Sequence, residues 1–525
     1  PFTEKKLIEA CLELLHGRLV VSMQDLGAAG LTSSSSEMAS KGMVGLDIHA
    51  DRVPLREADM EPWEIMISES QERMLSIVAP AKLAAVREVC ERWDLDCTVI
   101  GEVTDTKMLR IWWHGEVVGD IPARRLADEA PIVRTPSVKP AYLVDDPVAV
   151  TDAGYPPAAD LGAALAELLA APNVADKRWA WEQYDYIVQA NTMQIPGGDA
   201  AVLRIKGTPR GIAFTNDCNG RQCYLDPYRG AKAAVAEAAR NLSCAGALPV
   251  AVTDCLNFGN PEKGDIFWQF EQAVEGMAQA CEALDTPVVS GNVSFYNESF
   301  GKAIYPTPMV GMLGLYDDVS VHIDHSFKDE GDVVLLLGPD GAWIDGSEYQ
   351  KVHYGRVEGR IPDVDLEAER RLQAALRAAI GRRLLKSAHD CAEGGLAVAL
   401  AECAIGSGVN GGTRYADPEA AGAAGRWRGA DIGLPEALLA APGQPPGAAG
   451  RPDLALFGEA PTRVVVTCAA DDVGTLETLL ADVPHRRIGV VTGEDLRCTM
   501  AGNELFSVPV SALCAAYESL PDRLA

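Results

Sequence analysis

Val20 to Leu31 reads VVSMQDLGAAGL, and Leu384 to Leu400 reads LLKSAHDCAEGGLAVAL. Setting Asp25 on Asp390 brings Gly30 onto Gly395, an offset of 365 for both pairs (390 − 25, 395 − 30). A second match follows each: SESQERMLSIV (Ser68–Val78) against GEAPTRVVVTC (Gly458–Cys468), pairing Glu69 with Glu459 and Arg73 with Arg463 at an offset of 390 (459 − 69). A third, VIGEVTD (Val99–Asp105) against RIGVVTG (Arg487–Gly493), holds at 388 (487 − 99). Three matches in one order describe a duplicated module with an intervening domain, and the step from 365 to 390 places an insertion in the later copy.

Helical spacing of apolar residues runs through Thr3–Leu15, Pro80–Trp93, Gly230–Ala245 and Glu367–Leu385. Short β-rich runs, Val333–Leu337 and Arg463–Cys468 among them, lie between, so each module mixes α and β. Pro131–Pro157, rich in proline and acid, reads as the linker to the middle domain. Gly411–Pro452, with its APGQPPGAAGRP tract, reads as a surface excursion at the point where the offset steps.

The chain has 525 residues, 48% of them apolar, which suffices for about three domains. A net charge of −29 argues against nucleic acid as the partner, since a phosphate backbone calls for a basic face. It leaves room for a small phosphorylated substrate held by a few cations, a helix N-terminus or a metal. Thirteen cysteines without a CxxC pair fit a reducing cytoplasm rather than a disulfide or zinc scaffold. No apolar run reaches membrane-spanning length. Pro1 carries no initiator methionine, and the sequence reads as a fragment or a processed product.

Four stretches carry candidate chemistry. In QDLGAAGL an apolar strand, Arg18–Met23, delivers Asp25 to a turn of small residues before a Ser/Thr-rich helix start. Two readings stand open: Asp25 caps the following turn, or it holds Mg²⁺ beside phosphate oxygens. Glu69-Ser70-Gln71-Glu72-Arg73 packs five polar groups ahead of an apolar run, at a sheet mouth or a solvated strand entrance. In the middle domain, VAVTDCLNFGNPE (Val250–Glu262) and PVVSGNVSFYNE (Pro287–Glu298) are apolar strands ending in Asp, Asn, Ser and Gly, where α/β proteins bind ligands. Ordinary turn chemistry accounts for one such cluster more easily than for two. DCNGRQCYLDPYRG (Asp217–Gly230) superficially resembles the nucleophile region of a triad glutaminase. Asp217 stands where that pattern needs glycine, and Asn219-Gly220 reads as a hairpin signal. His16, His49, His114, His353 and His389 lack metal-ligand spacing and read as structural or exposed.

QDLGAAGL, ESQER, DPYRGAKAAVAEAARNLSCAGALPVAVTDCLNFGNPE and SGNVSFYNE, in that order, resemble the phosphoribosylformylglycinamidine synthase family in its small, multi-subunit form, across essentially all 525 residues. The resemblance implies a mixed α+β and α/β fold of duplicated aminoimidazole ribonucleotide synthetase-like modules. Each pairs a ferredoxin-like, barrel-forming domain with a C-terminal α/β domain, and the first barrel domain would lie before Pro1. On that template residues 1–139 are the α/β domain of half one and 140–149 a linker. Residues 150–323 are the barrel-forming domain of half two, and 324–525 its α/β domain with a decayed site. The implied reaction is ATP-dependent conversion of formylglycinamide ribonucleotide and ammonia, derived from glutamine, into the amidine, ADP and phosphate. The implied roles are Asp25 and Asn292 as Mg²⁺ ligands on a shared magnesium–triphosphate pocket, Asp254 and Gly291 as ATP contacts, and Glu69, Ser70, Gln71 and Ser294 as substrate contacts. A catalytic histidine is expected upstream of Pro1, so these 525 residues alone are expected to be inactive. Ammonia is expected from a separate glutaminase subunit joined by a small bridging subunit. ESQER has become Glu459-Ala460-Pro461-Thr462-Arg463, which points to a non-catalytic second site. Competing readings are another ATP-dependent ligase or phosphotransferase of the same superfamily and a catalytically dead scaffold.

Overall fold

A computed structural model describes residues 2–341, 343–408, 427–439 and 447–524. Two units emerge, Pro1–Arg134 and Thr135–Ala525.

In the first unit the helix Phe2–His16 buries Ala10 and Leu14 against Val86 and Val89 of the helix Leu83–Arg92. Four strands form a sheet in the order Gly101–Thr104, Gly45–His49, Met108–Trp113, Glu116–Pro122, and a separate antiparallel pair joins Ser22–Asp25 to Met74–Ile77. The helix Gly30–Gly42 buries Ser34, Ser35 and Ser36. Their hydroxyls donate back to carbonyls one turn earlier, which lets a polar run sit inside. The strand expected over Arg18–Met23 forms over Ser22–Asp25 instead: Arg18 adopts a left-handed conformation (φ 50°) in the turn after the first helix.

The second unit holds a six-stranded sheet in the order Val288–Ser294, Leu248–Asn257, Thr307–Tyr316, Gly211–Asp217, Ala201–Arg204, Thr192–Gln194. The helices Pro227–Cys244 and Gly264–Leu284 pack on one face, in a core that includes Val252, Leu256, Val310 and Met312. Alanines on the first helix and glycine on the second allow close approach. A Cβ on Gly276 would stand 2.1 Å from the Tyr228 carbonyl oxygen. A seven-stranded sheet follows, in the order Ser387–Asp390, Val464–Cys468, Val333–Leu337, His485–Val491, Ala430–Leu434, Asp495–Met500, Asn503–Pro509. The helix Leu366–Gly381 contributes to the core on one side of it, and the almost wholly apolar helix Gly395–Ser407 to the core on the other.

Residues between 131 and 157 carry no regular element, as the composition suggests, yet the later part is no solvated tether. Val150 and Tyr155 are buried, and the Tyr155 hydroxyl donates to Glu358 Oε1 at 2.5 Å. The helix Leu161–Leu169 buries Leu165, Leu168 and Leu169 in the core of the seven-stranded layer. Most of the Gly411–Pro452 excursion lies outside the described residues. Strand register narrows the insertion: Ile48 faces Gly101, and Ile432 faces Gly489, an offset of 384 (432 − 48) already reached before residue 432. Among the described residues no helix is long and apolar enough to cross a membrane.

Candidate functional site

The duplication holds at the level of single hydrogen bonds. Asp25 faces Met74 as Asp390 faces Val464. Leu26 N–H donates to the Arg73 carbonyl (3.2 Å) as Cys391 N–H does to that of Arg463 (3.1 Å). Arg73 donates to the Ser68 carbonyl (2.5 Å), and Arg463 to the corresponding Gly458 carbonyl (3.1 Å). Glu69 Oε1 accepts from Ala29 N–H, and Glu459 Oε1 from Gly394 N–H, both at 2.9 Å. Ala29 and Gly394 are left-handed (φ 57° and 79°), as are Glu72 and Thr462 (57° and 64°). Gly30 and Gly395 must be glycine for one shared reason: a Cβ would stand 2.0 Å from the Ser68 carbonyl oxygen or 2.6 Å from that of Gly458.

Against that common frame the two aspartates differ. Asp25 is exposed, and its carboxylate has no hydrogen-bond or ion-pair partner among the described residues. The turn is capped by Glu69, so of the two readings of Asp25 the capping one does not form. Asp390 is 4% exposed and fully engaged. Arg240 Nη2 reaches Asp390 Oδ2 at 3.2 Å while its Nε bonds Oδ1, and Arg240 Nη1 holds Glu369 Oε2 at 2.9 Å. Burial works against the Arg240 charge, but these two carboxylates hold it above its ordinary value. A free carboxylate at a strand end can ligate a cation; one chelated by a buried guanidinium cannot.

Glu69, Ser70 and Gln71 are exposed together on a loop that Arg73 clamps, its Nε donating to the Ser70 carbonyl at 2.8 Å. Gln71 Nε2 donates to the Glu69 carbonyl at 2.9 Å, and the Ser70 hydroxyl pairs with that of Ser68 at 3.3 Å.

In the second unit, parallel pairing sets Asp254 opposite Gly291, Asn292 opposite Cys255, and Ser294 opposite Asn257. Strand alternation then divides the set. Asp254 and Gly291 share the helix-covered face with Val252 and Leu256, while Asn292 and Ser294 share the opposite face with Ser290. A Cβ on Gly291 would stand 2.2 Å from Asp254 Oδ1, so glycine is what lets the carboxylate lie across the edge strand. Partial burial pushes the Asp254 carboxyl up. Asn292 is exposed; Ser294 is half-buried and receives Asn297 Nδ2 at 3.1 Å.

The second unit also contains a cavity lined by Asn219, Gln222, Glu237, Arg240, Glu393 and Glu459. Some of its polar groups bond one another: Asn219 Nδ2 to Glu393 at 3.1 Å, Gln222 Nε2 to Glu459 at 3.5 Å. Burial pushes Asp217, Glu237 and Glu393 up, and Glu459 up to about 7. Asn219 does not open a hairpin. It caps the helix Gly220–Leu225, accepting from Arg221 and Gln222 N–H at 3.2 Å, because the following residues have helix rather than strand partners. The Cys218 thiol, free, half-buried and hydrogen-bonded to that of Cys223, is raised well above its ordinary value, the opposite of an activated nucleophile. His389 lies between Asp199 and Glu402, each at 2.9 Å, and these hold its imidazole well above the ordinary value despite burial. The sequence reading did not single out Arg240, Glu237 or Glu393. One signal was available, two charges in an otherwise alanine-rich helix face.

The AIR synthase related protein C-terminal domain profile matches residues 1–114 and 329–500, and the N-terminal domain profile of the same family matches 197–316. The phosphoribosylformylglycinamidine synthase subunit PurL of Moorella thermoacetica is 45% identical over 529 aligned positions, covering 100% of this chain and 68% of the relative. That of Thermoanaerobacter pseudethanolicus is 45% identical, covering 98% and 66%. The chain thus spans about two thirds of the length of these relatives. Among solved structures, Thermotoga maritima PurL complexed with ADP matches with a TM-score of 0.61 at 28% identity, covering 94% of this chain and 68% of that one. Its complex with FGAR matches at 0.61 and 28% (93% and 65%), and PurLQS from the same organism at 0.61 and 28% (94% and 67%).

Proposed function

The chain belongs to the AIR synthase-related family, in its phosphoribosylformylglycinamidine synthase PurL branch, and on that premise we propose that it serves the ATP-dependent conversion of formylglycinamide ribonucleotide and ammonia into formylglycinamidine ribonucleotide, ADP and phosphate. One observation carries the reading: of two aspartates in matching turns, Asp390 is sealed by Arg240 and Asp25 stands open. The first copy keeps a ligand-ready carboxylate; the second has converted its own to structure.

Asp25 and Asn292 are the proposed Mg²⁺ ligands, and the fit rests on donor chemistry, an exposed carboxylate and an exposed amide. When bound, Mg²⁺ neutralises phosphate oxygen charge during phosphoryl transfer. The chain's own groups do the positioning. Ser70 and Gln71 are exposed on a loop that Arg73 holds, so their polar groups meet a substrate from a preset backbone. Glu69 spends one oxygen on Ala29 N–H and so supports the same turn that presents Asp25, with its second oxygen left for substrate. Ser294 is proposed as a further substrate contact, and Asp254 with Gly291 as the nucleotide contact. Glutamine as the ultimate nitrogen source, a glutaminase subunit and a small bridging subunit belong to the same proposal, supported by the likeness to PurLQS.

Calorimetric titration of formylglycinamide ribonucleotide into the chain tests this. Saturable binding is expected, with Gln71→Ala weakening it about tenfold, the value of one lost hydrogen bond to a charged or strongly polar ligand. Equal affinity for the formylglycinamidine product, or indifference to Gln71→Ala, would count against the assignment.

A further inference from the structure

Ser294 closes the edge strand Val288–Ser294, and the residues after it fold back toward its side chain. Phe295 anchors the exit from the sheet: its ring stands edge-on to Phe270 at 5.1 Å, and Phe270 meets the fully buried Phe258 at 5.4 Å. Tyr296 then takes a left-handed backbone (φ 61°) and keeps its side chain exposed. A residue other than glycine holds that conformation only where its surroundings fix it. Here Tyr296 N–H donates to the Gly259 carbonyl at 3.0 Å, and Asn297 N–H to that of Phe258 at 3.1 Å. Glu298 accepts from Asn260 N–H at 3.1 Å and from Lys263 Nζ at 2.8 Å, which ties the same stretch to the loop that follows Leu248–Asn257.

Asn297 sits at the centre of this turn. Its Nδ2 donates to the Ser294 carbonyl at 2.9 Å and to the Phe258 carbonyl at 3.1 Å. Carbonyl oxygens only accept, so these two contacts fix which end of the amide carries the hydrogens. Nδ2 also stands 3.1 Å from Ser294 Oγ, whereas Oδ1 stands 3.4 Å from it, beyond the usual range for a hydroxyl donor. The nearer contact makes the Ser294 hydroxyl an acceptor on its Asn297 side. A hydroxyl has one proton and rotates to suit its neighbours. With an N–H donor on the inner side, the better place for that proton is an acceptor on the open face, which Ser294 shares with Ser290 and Asn292.

We propose that Asn297 is a positioning residue for the reaction: it holds the Ser294 hydroxyl so that its proton points outward, at an acceptor oxygen of formylglycinamide ribonucleotide. This rests on the reading of Ser294 as a substrate contact and adds what makes that hydroxyl a donor. Asn297 acts through Ser294. Without its amide the hydroxyl rotates freely, and ordering it on binding costs affinity. An aspartate in its place has the same shape but, ionised, only accepts, so it would draw the Ser294 proton inward and leave the outer side without a donor.

Calorimetric titration of formylglycinamide ribonucleotide into the 525-residue chain, arranged as a double-mutant cycle on Ser294→Ala and Asn297→Ala, tests the assignment. Ser294→Ala should weaken binding about tenfold and Asn297→Ala about threefold or more. The double variant should bind no more weakly than Ser294→Ala alone, since the grip has no object once the hydroxyl is gone. Asn297→Asp should weaken binding as much as Ser294→Ala, although the hydroxyl is still present. A purely structural Asn297 would instead lower affinity by the same factor whether or not Ser294 is there. Additive losses in the double variant, or parent-like binding by Asn297→Ala or Asn297→Asp, would overturn the role of Asn297 while leaving Ser294 as a contact. No saturable binding by the parent chain, or no loss from Ser294→Ala, would instead sink the reading of Ser294 and the proposal with it.

Discussion

Replacing Arg240 with methionine should cost the second unit about 3–5 kcal/mol, the usual consequence of removing one member of a buried charge network. The structure sets the size of the effect. Arg240 is 2% exposed and holds two carboxylates, Asp390 and Glu369, that are 4% and 0% exposed. Methionine fills much of the volume, so the loss is electrostatic: two carboxyl groups left without a cation or water. Urea unfolding, read by amide exchange on peptides of the second unit, measures it. By the size scaling for a unit this large, the same loss lowers the melting point by about 5 °C. A triple variant, Arg240→Met with Asp390→Asn and Glu369→Gln, should recover about 2 kcal/mol, because it removes the stranded charges as well. A single variant within about 1 kcal/mol of the parent, or a triple variant no more stable than the single, would refute the view that this network is what occupies the second copy's turn.

Two further outcomes follow from the same geometry. Gly291→Ala should weaken magnesium–ADP binding about tenfold or more in a calorimetric titration, since the added methyl meets the Asp254 carboxylate at 2.2 Å; combining it with Asp254→Ala should restore the melting temperature but not the binding. Glu459, pushed up to about 7 by burial, prefers to be protonated when folded, so its contribution to stability is complete below the ordinary glutamate value near 4.5 and is lost as pH rises toward and through 7; Glu459→Gln should flatten that part of the stability–pH curve, and an unchanged slope would show that another group sets it.

The duplicated architecture was legible because a repeat preserves local backbone demands. Gly30 and Gly395 each face a carbonyl, and Glu69 and Glu459 each cap a turn, so both pairs survive in the sequence. The helices were legible by periodicity, with Pro227–Cys244 and Leu366–Gly381 close to the expected spans. What the sequence concealed is non-local. Arg240, Asp390 and Glu369 come from three elements, and no spacing rule brings them together. Asn219-Gly220 misled because an N-cap and a hairpin turn draw on the same short polar side chain, and only the partners of the next residues decide between them. The opposite faces of Asp254 and Asn292 follow from strand register, which the polar clusters alone do not set.

The matched turns make the molecule a comparison of itself with itself. Two residues kept in both copies, the arginine that grips a carbonyl and the glutamate that caps an amide, make the same backbone contacts in each. Wherever only the first kept one, as with Ser70 and Gln71 against Ala460 and Pro461, the shape survived without it. The parts of the turn that hold the backbone can therefore be told apart, inside a single polypeptide, from the parts that the backbone does without.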